Sequence, residues 1–215
     1  MELFFSPLAC SMSARVALAE AGAAATFLEV DPATKRLLAS GEDYRAINPL
    51  GYVPALRLDD GTVLTENSAV LQYIAEEYPE AQLTPPASDR IGRARLRQWL
   101  SFISAELHKG LMTPLLGDKT PPEVKAWTLS KYGSRLAYLD AKLEGREFLL
   151  DRFSVADAYL TIVLSWTRAT PEIDLAAHPN VKAYLERMRA RPSIAAAFAL
   201  ESPLFRAEVA RRKAA

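Results

Sequence analysis

The sequence predicts a two-part chain: an N-terminal α/β domain of βαβαββα order over residues 1–79, a linker at 80–88, and an all-helical bundle domain over 89–215. Three observations predict it. Short apolar runs bounded by turn residues alternate with amphipathic segments, but only through the first 80 residues. The stretch "PEAQLTPPASD" (79–89) is proline-rich and interrupts that pattern. From Arg90 onward every periodic segment of useful length has helical spacing.

The elements follow in order. "ELFFSP" is a short strand closed by Pro7. "MSARVALAEAG" puts Val16, Ala17 and Ala21 on one helical face, and Gly22 supplies the stop. "TFLEVD" is a second strand, followed by a polar connection with Lys35 and a short helical turn around "GEDYRAINP". "ALRL" and "TVL", separated by "DDG", are two strands of a hairpin. "NSAVLQYIAEEYP" is a helix that begins at a polar cap and is halted by Pro79. The first strand, helix and second strand make a right-handed parallel unit, which the hairpin completes as a small mixed sheet. In the second half, helices are expected at 89–115, 122–143, 154–169, 179–190 and 192–200.

Composition narrows the function. The 215 residues are 50% apolar and 24% charged, in the range of a globular protein with a sizeable core. No apolar run is long enough for a membrane span, and the first residues lack the basic flank and long apolar core of an export signal. One cysteine makes no internal disulfide, so a cytoplasmic location is expected. Net charge is zero, yet residues 1–80 carry 5 Lys/Arg against 12 Asp/Glu, and the rest carry 21 against 14. The basic residues are spread among acids along helices, which argues against nucleic acid as a partner. Two histidines and one cysteine far apart make no zinc site, and no glycine-rich phosphate loop is present.

The chemistry-bearing candidates are few. Cys10, at the first turn of the first helix, is either a small buried hydrophobe or a thiol whose pKa helix-start amides lower. "CSMS" has Ser13 where a dithiol motif has its second cysteine, which leaves a mixed disulfide with an outside thiol as its redox chemistry. Pro54 in "INPLGYVPAL" is either an ordinary strand-start proline or a cis one. Asn67 or Ser68 is a helix N-cap; alternatively, the helix-start N–H groups bind a carboxylate while Glu66 accepts from an ammonium group. His108 and Lys109 either complement a helix C-terminus or face a ligand. Ser154 with Asp157 is a capping box, a folding device.

With its βαβ–ββα order, the Val53–Pro54 segment resembles the cis-proline loop of thioredoxin-like folds, which implies outward-facing Val53 backbone groups that pair with an extended peptide. Taken together, "SPLACSMS", "INPLGYVPAL", "LTENSAVLQYIAEEYP", "QWLSFISAELHKG" and "FSVADAYL" resemble the bacterial beta-class glutathione S-transferases over nearly the whole chain, weakening after about residue 200. The resemblance implies a cytoplasmic detoxifying homodimer with glutathione as co-substrate, no metal, and a small hydrophobic electrophile as second substrate. It implies that Cys10 faces the glutathione sulfur, that Lys35 contacts the glycyl end, and that Val53 beside cis-Pro54 pairs with the cysteinyl unit. Glu66 and Asn67 would hold the γ-glutamyl ammonium and carboxylate, and His108 and Lys109 would approach the thiol from the helical domain. Ser11, beside Cys10, is a candidate hydroxyl donor to the thiolate, as serine is in other classes of the family. Ser101, where many members have asparagine, is left out of the site. Leu111, Met112, Leu115, Trp166 and Arg168 are read as electrophile pocket or core alike.

Four functions are compatible with this reading: conjugation, glutathione-dependent thiol–disulfide exchange, reductive dehalogenation, and non-catalytic ligand carriage on the same fold.

Overall fold

The computed structural model describes residues 1–214. They form two compact units, one of Met1–Leu83 with the C-terminal stretch from Pro192, the other of Thr84–Arg191. In the first, β1 (Glu2–Phe5), α1 (Met12–Glu20), β2 (Thr26–Glu29), a 3-10 turn (Tyr44–Ala46), β3 (Ala55–Arg57), β4 (Val63–Thr65) and α2 (Asn67–Glu77) follow in the order read from the sequence. β1 pairs parallel with β2, Leu3 opposite Phe27, and antiparallel with β3, Leu3 opposite Leu56. β4 closes the sheet antiparallel to β3, giving the order β2-β1-β3-β4.

That order makes β1 central, and Leu3, Phe4 and Phe5 are accordingly buried on both faces. Phe4 packs with Val30, Leu37, Tyr44 and Ala55, its ring 5.6 Å from that of Tyr44. Phe5 points the other way, where the Arg15 guanidinium of α1 lies 4.6 Å from its ring centre. α1 and α2 contribute Met12, Val16, Val70, Leu71 and Ile74 to the core, all fully buried. Each such side chain contributes about 1.5–3 kcal/mol, so the sheet and two helices hold one another.

In the second unit, α3 (Arg90–Phe102), a π-helical stretch (Ile103–Met112) and α4 (Thr113–Leu116) run on without a break. A Cβ on Gly110 would sit 2.6 Å from the Ala105 carbonyl oxygen, so the widened turn needs glycine there. α5 (Pro122–Leu143), α6 (Val155–Ser165) and α7 (Pro179–Arg189) complete the unit. Every residue of α6 is buried, which makes it the central helix. Its start is fixed by Asp157: Oδ2 accepts from the Ser154 N–H at 2.9 Å and hydroxyl at 2.8 Å. Oδ1 accepts from the Leu149 N–H at 2.9 Å and the Tyr184 hydroxyl at 2.8 Å. Asp140 of α5 caps α7 in the same manner, accepting from the Asn180 and Val181 amides.

The C-terminal stretch departs from expectation. A helix was expected at 192–200 within the helical domain; instead α8 spans Pro192–Ala214, passes through Pro203, and belongs to the first unit. The division between the units falls after Leu83, within the 80–88 stretch read as a linker. Polar ties explain the placement. Ser193 donates to Glu20, Arg15 Nε donates to Glu201 at 2.7 Å, and Arg211 pairs with Glu29 at 3.0 Å. Two of the four buried α8 residues, Glu201 and Glu208, are acids, so no apolar stripe marked the helix beyond residue 200.

Candidate functional site

The turn between β1 and α1 carries Cys10. Pro7 ends the strand, and Ser6 anchors the turn by donating its hydroxyl to the Val30 carbonyl at 2.7 Å. Ser11 stands at the N-cap position of α1, so Cys10 lies in the turn before the helix rather than in its first turn. The amides of Met12 and Ser13 are taken by the carbonyls of Ala9 and Cys10, both at 3.0 Å, and are not aimed at sulfur. Cys10 is buried, and its Sγ lies 3.4 Å from the Val53 carbonyl oxygen, a contact that only the S–H form makes as donor. Of the two sequence alternatives for Cys10, its burial matches the first, and the helix-start amides of the second are turned elsewhere. Ser11 is fully buried, and its hydroxyl donates to the Ser6 carbonyl at 3.2 Å while accepting from the Ser6 amide. It braces the turn, and nothing in this geometry turns it toward the thiol.

The opposing segment is held from behind. The Tyr44 hydroxyl at 2.9 Å and Asn48 Nδ2 at 2.7 Å both donate to the Tyr52 carbonyl. Burial pushes the Tyr44 phenol up, so it remains a donor at any ordinary pH. The Val53–Pro54 bond that follows is cis. Among the described residues nothing accepts from the Val53 N–H. Lys35 adopts φ +59, and its aliphatic stem lies across Gly51, where a Cβ would come within 3.2 Å of Lys35 Cδ. Gly51 itself has φ +66, so glycine is needed twice over. Burial and Arg45 lower the Lys35 pKa, with Asp31 acting against them.

At the start of α2, Glu66 occupies the N-cap position with φ +64 and ψ 113, a backbone conformation that a side chain disfavours and that clusters at functional sites. Its carboxylate is exposed and makes no hydrogen bond to another described residue. The Asn67 and Ser68 amides lack an acceptor among the described residues, as the first N–H groups of a helix do. Asn67 is therefore the first helical residue, not the cap. Its side chain turns inward: Nδ2 donates to Ser13 Oγ at 3.0 Å, and that hydroxyl donates to the Cys10 carbonyl at 2.7 Å. One polar chain thus links the start of α2 to the Cys10 turn.

The structure brings Cys10, Val53, Pro54, Asn67 and Glu66 into one connected arrangement, with Lys35 packed beside Gly51 and Tyr52. His108 and Lys109 belong to the helical unit. His108 is buried in the π-helical stretch, its Nδ1 2.7 Å from the Tyr159 hydroxyl and its ring 4.9 Å from that of Trp166. Lys109 is exposed. Leu111, Met112 and Leu115 are core residues, whereas Arg168 is exposed and Trp166 half-buried.

Burial, with Lys109 adding to it, lowers the His108 pKa to about 4, so the imidazole is neutral at pH 7. The unfolded chain, with an ordinary pKa of about 6.5, takes up the proton first as pH falls. The resulting loss of stability is absent above pH 6.5, grows between 6.5 and 4, and amounts to about 3 kcal/mol below that. His108→Gln keeps a hydrogen-bonding partner for Tyr159 and removes the titration. Urea unfolding is expected to show the wild type losing about 3 kcal/mol more than this variant from pH 6.5 to 4. Parallel pH profiles would contradict a buried neutral His108.

Sequence reasoning missed four supporting residues. Ser13 was read only as an absent cysteine, although a serine three residues after Cys10 can bond back to its carbonyl. Tyr44 and Asn48 looked like ordinary turn residues. Glu201 carried no local signal, since its partners are 186 and 193 positions away.

Residues 9–77 match the family description "Glutathione S-transferase, N-terminal domain", and residues 102–192 match "Glutathione S-transferase, C-terminal domain". The glutathione S-transferase GstA of Escherichia coli O157:H7 is 41% identical over 202 residues, covering 94% of this chain and 98% of that protein. A sphingomonad glutathione S-transferase solved in complex with glutathione is 42% identical with a TM-score of 0.87, over 94% of this chain and 99% of that one. The beta-class enzyme of Sphingomonas chungbukensis matches at 42% identity and a TM-score of 0.87, over 94% and 98%.

Proposed function

The chain belongs to the glutathione S-transferase family, and from that premise we propose that it joins the glutathione thiolate to small hydrophobic electrophiles. The observation that carries the reading is the Val53 N–H beside cis-Pro54, without an acceptor among the described residues, with the Val53 carbonyl 3.4 Å from Cys10 Sγ and unpaired helix-start amides at Asn67 and Ser68. An extended tripeptide has matching needs. Its cysteinyl unit pairs with the Val53 backbone, its γ-glutamyl carboxylate meets the α2 amides, and its ammonium meets Glu66. Lys35 takes the glycyl carboxylate. The Asn67 side chain is committed to Ser13, so that residue contributes through its backbone.

In the reaction glutathione gives up its thiol proton, the thiolate attacks the electrophilic carbon, and the leaving group departs. Cys10 is not the nucleophile of this step. A second reading is favoured by its position. The Cys10 thiolate attacks a glutathione mixed disulfide GS–SR, expels RS⁻ and forms Cys10–S–SG; a second glutathione thiolate then releases GSSG. The Cys10→Ala variant separates the two. It is expected to conjugate a chloronitroaromatic within about tenfold of the wild-type kcat/KM. Complete loss, alongside wild-type exchange on a glutathione mixed disulfide, would make redox exchange the main activity.

The proposal includes a homodimer through the first helices of the helical unit, where Ile91, Val124, Trp127 and Tyr138 are exposed. A working free thiol suits a reducing cytoplasm. No helix of the described residues is long and apolar enough to cross a membrane.

A further inference from the structure

The Cys10 turn is held from the far end of the chain. Leu8 adopts φ +56, uncommon for a bulky side chain, and its N–H donates to Glu201 Oε2 at 2.8 Å. Glu201 lies on α8, and its side chain is 0% exposed. Its other oxygen accepts from Arg15 Nε at 2.7 Å. Arg15 is held in turn over the rings of Phe27 at 3.8 Å and Phe5 at 4.6 Å. One buried carboxylate therefore joins the residues before Cys10, the helix after it, and α8.

As a source of stability this is a poor arrangement. Burying an ion pair costs several kcal/mol in desolvation, and apolar residues of the same volume commonly do as well. Burial pushes the Glu201 carboxyl up while Arg15 and the Leu8 amide hold it down, so its charge depends on both partners. What apolar residues would not do is fix the direction of the Leu8 amide, two residues from the thiol.

We infer that Glu201 is a positioning residue for Cys10, holding the Leu8–Cys10 turn so that Sγ stays against the Val53 carbonyl. Its bearing on catalysis rests on the glutathione reading above; the positioning itself does not.

The test uses Glu201→Ala, Glu201→Gln and the volume-preserving double variant Arg15→Met/Glu201→Leu in the full chain. Iodoacetamide alkylation reports Cys10 alone, because it is the only cysteine. The alanine and double variants are expected to alkylate at least about tenfold faster than wild type, as the released turn opens locally. They should raise KM for glutathione about tenfold while lowering kcat less. Glu201→Gln, whose amide oxygen still accepts from Leu8, should stay within about threefold in both. A folded double variant with wild-type alkylation and KM overturns the inference, as does Glu201→Gln reacting as fast as Glu201→Ala. Where Glu201→Ala lacks a cooperative melt, the other two variants decide. Failure of all three to fold would assign Glu201 to stability alone and overturn it too. Alkylation needs no glutathione, so a wild type that did not bind glutathione would refute the functional reading and leave this test intact.

Discussion

Asp157→Ala is expected to lower the folding stability by about 4 kcal/mol, measured by urea unfolding followed through tryptophan fluorescence. The size follows from what the carboxylate holds. Its two oxygens accept from four donors: the Ser154 and Leu149 amides and the Ser154 and Tyr184 hydroxyls. Alanine leaves those donors buried and unpaired, and each such orphan costs about 1–3 kcal/mol before any relaxation. The cavity adds to the loss, because α6 is buried along its whole length. Asp157→Asn is the informative control. Its oxygen can still serve one pair of donors, while its NH₂ faces the other, so about half the loss should remain. Equal stability of Asp157→Ala and wild type would show that the capping box does not organise the central helix.

Glu66→Ala is expected to raise the Kd for glutathione roughly 10- to 100-fold with little change in stability, the range for losing a charge-assisted hydrogen bond. Glu66 contributes little to the fold beyond its backbone: the side chain is exposed, unpartnered among the described residues, and sits at φ +64. Removing a side chain beyond Cβ from such a position does not relieve the backbone, so the melting temperature should barely move. Glu66→Gln, which loses the charge but keeps an acceptor, should fall between the two. Isothermal calorimetry reads both. Unchanged affinity in Glu66→Ala would remove the ammonium contact from the account.

Much of this was legible in residue patterns. Short apolar runs flanked by turn residues located all four strands, and "DDG" located the hairpin between Ala55 and Thr65. Ser154 with Asp157 announced a cap that the structure contains. These signals are local, and the physics that produces them is local too. What failed to show was long-range and polar. The buried face of α8 includes Glu201 and Glu208, residues that any hydrophobic pattern assigns to solvent. They are buried because Arg15 on α1 and Arg212 on the same helix pair with them.

The candidate site divides in the same way. Cys10, Val53–Pro54 and Glu66-Asn67 could be picked out because each sits at a strand or helix boundary with an unusual residue. Their orientation could not. A serine after the cysteine reads equally as a catalytic hydroxyl or as a brace, and only the bond from Ser11 to Ser6 decides between them. Asn67 reads as a helix cap until its side chain is seen bonded to Ser13. The π-helical widening that places His108 beside Tyr159 depends on Gly110, and a single glycine inside a helical run has no unique meaning.

The proposed function requires the protein to hold glutathione along the tripeptide's length, with the γ-glutamyl end at Glu66 and the start of α2 and the cysteinyl unit at Val53. Calorimetric titration of the wild-type protein with glutathione, and separately with the dipeptide cysteinylglycine, tests it most directly. One glutathione per chain is expected, with at least roughly 100-fold weaker binding of the dipeptide, which lacks both groups held at α2. Equal affinity for the two ligands, or no binding of glutathione, would contradict it.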